Sequence, residues 1–383
     1  MKGIISIFIS LITFGCSNPA PQQMEVAENT GQESSHHLIK QDTIPLKHKA
    51  EILTYFRKFI KRRHFNGHVL IAKGNTIILD TTSGYANIRK RIPLQKNSAI
   101  QLASITKPIT STVLLQLVEE GKLNISDTIT KFLPNLPEHY SKITIEHLLA
   151  HRSGLAQYYY YCDHMMDNKD EMIYNDTVLC VIDFHNPEHY FKPGKRHNYC
   201  NTNYLLLASI IESIEDDSYP NVVQKRIFDA CNMDDSFVID IKKDTLPSNL
   251  VLGHNLRNKV FEFDYLDGIV GDKGIFSSAR DLFKFDRFLS DCGILNDSLL
   301  QLAHSPHNKI KRNASYGYGW RLRYHKNLGK IVYHTGWWHG NRHAYFKIPN
   351  SDYTVIILSN ALRGSVYSLN ELLDVFDFKK EAI

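Results

Sequence analysis

Three short segments carry residues able to do acyl-transfer chemistry. Ala103-Ser104-Ile105-Thr106-Lys107-Pro108 has a Ser and a Lys three residues apart at the start of the strongest helical pattern in the chain. Residues three apart share a helix face, so hydroxyl and amine come within mutual reach. The N-terminal end of a helix disfavours an ammonium and favours an oxyanion, which suits a Ser nucleophile activated by Lys. Tyr199-Cys200-Asn201 follows a turn at Pro193-Gly194 and precedes an apolar run. On an extended segment Tyr199 and Asn201 face one side, presenting a phenol for proton transfer and an amide for substrate binding. His334-Thr335-Gly336-Trp337 ends a strand-like run; its Gly admits close approach to the backbone, and the following N–H is placed to act as an oxyanion donor.

The elements that must position these segments are legible in outline. Ile52, Leu53, Phe56, Phe59 and Ile60 recur at helical spacing, which predicts a helix over 47–63. Strand-like runs 68–72 and 76–79 flank a Lys73-Gly74-Asn75 turn, and residues 104–120 read as a mostly buried helix ending at Gly121. Helix and loop then dominate to about 308. Strand character returns in 316–324, 330–334, 344–348 and 353–358, and 368–378 reads as a closing helix. The expected fold is therefore α+β: an antiparallel sheet built from both chain ends (about 47–100 and 315–383), flanked by terminal helices, with an inserted helical region over about 104–308. Such an arrangement leaves a cleft where the insertion meets the sheet.

Ahead of this domain, Lys2 and the eleven-residue apolar run Ile4–Phe14 precede Gly15-Cys16-Ser17. As a helix the run rises only about 16 Å, half a bilayer core, so it reads as an export signal over 1–16 rather than a span. The Gly-Cys pair resembles the cleavage site of bacterial lipoproteins, with Cys16 the lipidated residue; an ordinary secretory signal with an incidental Cys is the other reading. Residues 17–46 are polar, with few apolar anchors, and read as a flexible tether. The expected location is the cell envelope, with the membrane as a partner through Cys16. Lys plus Arg is 45 against 40 Asp plus Glu, a net charge of +5 without any long basic block, so nothing points to nucleic acid. Of the six cysteines, Cys162 and Cys180 flank one insertion and are candidates for a bridge, with buried free thiols the commoner outcome.

Taken together, Ser104, Tyr199 and His334 occur in the order seen in the β-lactamase-related serine hydrolases, and the chain resembles that family, which includes class C β-lactamases, D,D-peptidases, D-aminopeptidases and esterases. The likeness extends to His147-Leu148-Leu149-Ala150-His151-Arg152-Ser153-Gly154-Leu155, to Gly271–Asp281, to Tyr316-Gly317-Tyr318-Gly319-Trp320 and to Ile356–Asn360, covering about residues 50–365. The resemblance implies that Ser104 attacks an acyl carbon while Lys107 and Tyr199 act as a coupled pair: Lys107 either makes the phenol a better acid or itself takes the proton. It implies an oxyanion hole from the backbone N–H groups of Ser104 and Trp337, with Asn201 holding the substrate amide and His334, Thr335 and Gly336 lining the strand side of the groove. Small-molecule or peptide substrates are implied, and no cofactor or metal.

Many relatives carry Lys-Thr-Gly where this chain has His334-Thr335-Gly336. An imidazole is largely neutral near pH 7, so the strand's pull on a substrate carboxylate is expected to be weak. That shifts the expected substrate from a β-lactam toward a D-amino-acid peptide or small ester, with a β-lactamase or a non-catalytic envelope binder as alternatives. Trp337, Trp338 and Tyr158–Tyr161 are candidate aromatic walls. His147 and His151, four apart, evoke zinc, but Glu146 lies on the wrong side for the metalloprotease pattern H-E-x-x-H. His151 is expected to bond within the Ser153-Gly154-Leu155 turn, and His339 and His343 to lie at the groove edge or surface.

Overall fold

A computed structural model describes residues 44–165, 169–240, 245–291, 293–363 and 369–378. The signal segment with Cys16, nearly all of the tether, and Cys292 lie outside the described residues. The expected α+β fold is the observed one. Helix α1 (Leu46–Arg63) leads into β1 (Gly67–Lys73) and β2 (Thr76–Ser83). The other strands of the main sheet are β3 (Asn308–Lys311), β4 (Ala314–Tyr316), β5 (Arg321–His325), β6 (Gly329–Trp338), β7 (Asn341–Ile348) and β8 (Tyr353–Ser359). They form one antiparallel sheet in the order β2-β1-β8-β7-β6-β5-β4-β3, so first and last parts of the chain meet where β1 pairs with β8 (Val69 opposite Ile357).

The central strands are buried on both faces, and period-two alternation assigns each side chain to a layer. Val69 and Ile71 of β1, with Val355 and Ile357 of β8, face the terminal helices and meet Ile52, Phe56, Leu372 and Leu373. Leu70, Ala72, Ile356 and Leu358 point the other way, into the core shared with the inserted helices. That core is centred on α2 (Thr106–Glu119), eleven of whose residues are buried, which makes it a helix packed on all sides. Pro108 is tolerated because it lies in the first turn, where no intrahelical N–H bond is lost. Against α2 packs α3 (Thr202–Glu215), whose first ten residues are all buried. Helix α4 (Ala279–Ser290) is pinned to the sheet by buried Asp286, which accepts from Tyr345 Oη (2.6 Å) and Thr354 Oγ1 (2.8 Å) and pairs with Lys347 (3.0 Å).

Three features differ from the sequence expectation. Residues 316–324 are not one strand: Gly317–Trp320 turn the chain between β4 and β5, and Gly319, at φ +81°, lies where a Cβ would be 3.0 Å from the Lys107 carbonyl oxygen. The inserted region is not only helix and loop. It contributes the strands Phe237–Val238, Leu250–Val251 and Ile275–Ser277 to a small sheet completed by Ala99–Gln101, just ahead of it, which delivers the chain to Ser104. Strands that short carry no alternation to read. Strand β3 was missed for the same reason.

Candidate active site

Ser104 sits in a 3-10 turn, Ala103–Ile105, immediately before α2. Ala103 is held in the left-handed region at φ +50°, a strained conformation for a residue with a Cβ. Lys107 is one turn on and fully buried; its Nζ lies 3.2 Å from Ser104 Oγ and donates to the Asp272 carbonyl oxygen at 2.9 Å. The Gly271–Gly274 segment thus backs the lysine, and Thr110 Oγ1 fixes it further by donating to the Gly271 carbonyl at 2.7 Å. Behind that segment Lys273 Nζ donates to Tyr158 Oη (2.9 Å), whose hydroxyl donates to Asp272 Oδ2 (3.2 Å). Tyr158 is therefore interior packing rather than a groove wall.

Tyr199 is brought to the same amine from the other side. Its ring centroid lies 5.1 Å from Lys107 Nζ, and the His151 ring packs on it at 4.3 Å. Gln157 holds the segment at both ends: its Nε2 donates to the Tyr199 carbonyl (2.9 Å) and its Oε1 accepts from the Asn201 N–H (2.8 Å). The expectation that Tyr199 and Asn201 share an extended segment is corrected. Asn201 has helical angles (φ −69°, ψ −32°) and caps α3, so the chain turns between them. The Asn201 Oδ1 atom is buried, with no hydrogen-bond partner among the described residues.

His151 does not bond within the Ser153 turn. Its Nδ1 accepts from the Cys200 N–H and faces Asn203 Nδ2, both at 3.2 Å, while Ser153 Oγ donates to Asn203 Oδ1 at 2.7 Å. His147 serves elsewhere, accepting from the Thr144 N–H at its helix start. The two imidazoles therefore form no common ligand set. The cysteines Cys162, Cys180, Cys200 and Cys231 are free, and burial pushes the Cys200 thiol up to about 11.

On the strand side, Gly336 of β6 meets the nucleophile's turn so closely that a Cβ there would be 2.4 Å from the Leu102 carbonyl oxygen. The same Cβ would lie 3.4 Å from that of Ala103, so β6 is seated directly on the turn that carries Ser104. Thr335 and Trp337 are exposed, Trp337 by 65%. His334, expected to line the groove, is instead fully buried. Its Nδ1 lies 2.9 Å from the Thr335 carbonyl oxygen, which places the ring proton there, and its Nε2 accepts from Tyr316 Oη at 3.0 Å. Both nitrogens are occupied. Burial, then the nearby charges of Arg321 and Lys107, hold its pKa well below the ordinary value, so the ring is neutral.

His343, also expected at the surface, is buried on β7. Its Nδ1 accepts from the Ser359 N–H (3.1 Å) and its Nε2 donates to the Gln101 carbonyl (2.8 Å), tying β8 to the strand that leads into Ser104. His339, in the β6–β7 turn, pairs with Asp264 (3.0 Å) and Asp267 (3.2 Å). Asp264, Asp267 and His339 are the group with metal-ligating proximity among the described residues, their ligand atoms lying within 4.8 Å of one another. Asp267 also accepts from Trp338 Nε1 at 2.7 Å, so the cluster already closes on itself as an ion-paired clamp. Gln157, Asp272 and Arg321 carry no signal of these roles in the sequence, because each acts across more than forty residues or through a backbone atom.

Comparison with known proteins agrees with this geometry. The beta-lactamase family model matches residues 53–375. The chain is 31% identical over 341 residues to penicillin-binding protein 4* of Bacillus subtilis (strain 168), covering 83% of this chain and 73% of that protein. A crystal structure of a penicillin-binding protein from Bacillus halodurans superposes with a TM-score of 0.72 at 24% identity, over 86% of this chain and 99% of that one. The D-amino acid amidase from Ochrobactrum anthropi SV3 superposes with a TM-score of 0.69 at 21% identity, over 88% and 98%. With its model matched across nearly the whole described chain, and Ser104, Lys107 and Tyr199 gathered at one point of the fold, the protein belongs to the beta-lactamase family.

Proposed function

We propose that the protein is a serine hydrolase that works through an acyl-enzyme on Ser104, with Lys107 and Tyr199 as proton-transfer partners. The observation that carries this reading is the amine of Lys107, 3.2 Å from the Ser104 hydroxyl and 5.1 Å from the Tyr199 ring. In the first half-reaction Ser104 Oγ attacks the acyl carbon, and its proton passes to the Lys107–Tyr199 pair and on to the leaving group. The backbone N–H groups of Ser104 and Trp337 stabilise the oxyanion, and the unpartnered Asn201 Oδ1 takes a substrate N–H. In the second half-reaction the same pair activates water, which releases the acid and restores Ser104.

The substrates this machinery serves are an envelope peptide with D-amino acids or a small ester, with β-lactam hydrolysis as the alternative. Likeness to a D-amino acid amidase supports the first, and similarity to a penicillin-binding protein supports recognition of a β-lactam. Export and anchoring through Cys16 belong to the same proposal and rest on the sequence; a Cys16→Ser protein that still sediments with membranes overturns the anchor. Among the described residues no helix is long and apolar enough to cross a membrane.

The test is covalent labelling with a fluorophosphonate, located by mass spectrometry, beside a kinetic panel of p-nitrophenyl esters, D-alanyl-D-alanine peptides and a chromogenic cephalosporin. Labelling at Ser104, with turnover of at least one substrate lost in Ser104→Ala, is the expected result. Absence of any adduct, or equal labelling of Ser104→Ala, overturns Ser104 as the nucleophile; absence of both adduct and turnover points to a non-catalytic binder.

A further inference from the structure

Two surface turns carry positive charge that their own residues do not balance. Residues 85–93 and residues 254–260 hold five cations between them, Arg89, Lys90, Arg91, Arg257 and Lys259, and no Asp or Glu. All five are exposed, and none pairs with a carboxylate among the described residues. The acids that flank the two turns in sequence are Asp80, already paired with His68, Lys96 and Arg280, and Glu262.

The two turns form one surface. The Arg89 guanidinium donates to the Arg257 carbonyl oxygen at 3.4 Å, and the Ile88 N–H donates to His254 Nε2 at 3.2 Å. His254 is fully buried, and its Nδ1 donates to the Asn360 carbonyl oxygen at 3.0 Å, which ties both turns to the end of β8. Exposed Arg363 follows there and lines one hollow with Ile88 and Asn258, adding a sixth cation. Two large aliphatic side chains stand in water beside these charges: Leu256, 69% exposed, precedes Arg257, and Ile92, 50% exposed, follows Arg91.

We propose that this face, made of residues 85–93 and 254–260 with Arg363, docks on an anionic lipid surface. Cations at the headgroup phosphates with aliphatic side chains at the acyl boundary are the pairing that a bilayer interface rewards. A soluble polyanion would engage the cations and leave Ile92 and Leu256 in water. The choice of lipid also draws on the anchor reading above, in which the tether 17–43 holds the domain within roughly 30 Å of a bilayer. The serine-hydrolase reading is not required. The face adjoins the groove, because Phe261 stacks on His339, with ring centroids 5.6 Å apart, in the turn that follows Trp337 and Trp338. Docking therefore sets how the groove faces the membrane.

Sedimentation with vesicles tests the contact. The full-length protein is mixed with vesicles of phosphatidylcholine alone or with about 30% phosphatidylglycerol; an apolar leader or a lipid anchor adds to both, so the difference isolates this face. A preference of about tenfold or more for the anionic vesicles at low salt is expected, falling to within about twofold in about 0.5 M NaCl. Lys90, Arg257 and Lys259 make no side-chain hydrogen bond with a described residue, so the triple variant Lys90→Glu, Arg257→Glu, Lys259→Glu leaves the described bonds intact. It should bring the two vesicle types to within about twofold. The double variant Ile92→Ser, Leu256→Ser should weaken binding to the anionic vesicles by about threefold or more and leave its salt dependence unchanged. Equal binding of the wild-type protein to both vesicles overturns the proposal, as does a preference that survives the triple variant. Binding indifferent to the double variant also overturns it and points to a soluble polyanion. Where the triple variant does not fold, Lys90→Gln with Lys259→Gln decides: an undiminished preference overturns the proposal. The Cys16→Ser test of the anchor is read in about 0.5 M NaCl, where this contact is screened, so the two readings fail separately.

Discussion

Lys107 Nζ stands between Ser104 Oγ, 3.2 Å away, and the Asp272 carbonyl oxygen, 2.9 Å away, wholly out of water. The hydroxyl is one turn distant in sequence and the carbonyl is 165 residues distant. An amine with two fixed acceptors has its third direction set, and the Tyr199 ring lies within 5.1 Å. Lys107→Met keeps the apolar stem but removes the proton acceptor and leaves the carbonyl unsatisfied. We expect kcat on a p-nitrophenyl ester to fall about 10²- to 10⁴-fold, the usual scale for losing a general base. Stopped-flow or steady-state kinetics beside a denaturation curve check that the loss is in turnover rather than folding.

Gly336 is the contact between sheet and nucleophile. A methyl group there meets the Leu102 carbonyl oxygen at 2.4 Å and His343 Cδ2 at 2.8 Å, so the strand must move away from the turn that holds Ser104. Gly336→Ala is expected to cost about 1–3 kcal/mol of stability through overpacking. Activity should fall by about 10²-fold, because a shift of about 1 Å misplaces the oxyanion donor. Urea denaturation and kcat, measured on the same preparation, test both halves.

His343 sets an acid limb of stability. Burial holds its pKa at about 4, against an ordinary 6.5, outweighing the hydrogen bond to the Gln101 carbonyl, which by itself favours the charged ring. The unfolded chain therefore binds a proton between pH 6.5 and 4 that the folded one refuses, so stability falls as pH drops through that window. The loss amounts to about 3 kcal/mol for this one group. In His343→Gln the slope of unfolding free energy between pH 6.5 and 4 should be shallower; an unchanged slope contradicts the assignment. His304, held at about 3 by burial, contributes in the same direction. Asp286, held at about 2 by Lys347 and Arg287 against its own burial, acts only at lower pH.

His339 acts at the other end of the scale. Burial works against its charge, but hydrogen bonds and charge from Asp264 and Asp267 outweigh it and raise its pKa to about 9. The folded state then holds a proton that the unfolded state releases above 6.5. The clamp's contribution is full below pH 6.5 and is lost as pH rises through 9. The wild-type melting temperature should drop more between pH 6.5 and 9.5 than that of His339→Gln. Since Asp267 also carries Trp338, which follows Trp337, ester turnover should decline over the same range.

The sequence by itself determined what local geometry can encode. Ser104 and Lys107 are three apart on one helix, so their proximity follows from the rise of an α-helix alone. Helix α1 is legible through its helical spacing and β1, β2 and the strands β6 to β8 through their β-rich apolar runs, and with them the sheet shared by both chain ends. The tertiary structure decided what depends on several distant segments arriving together. It placed His334 and His343 inside rather than along the groove, because β7 is covered on both faces and β6 on the face that carries His334 and Gly336, Thr335 and Trp337 pointing out on the other. It made a backbone carbonyl at Asp272 the second partner of Lys107, a role that no side-chain type signals. It also set Arg321 beside Tyr199 without a counter-charge, a relationship between residues 122 positions apart. Periodicity reports which face of an element is apolar. Which charge is left unpaired is a property of the packed whole, since it depends on the partners every neighbouring element brings or withholds.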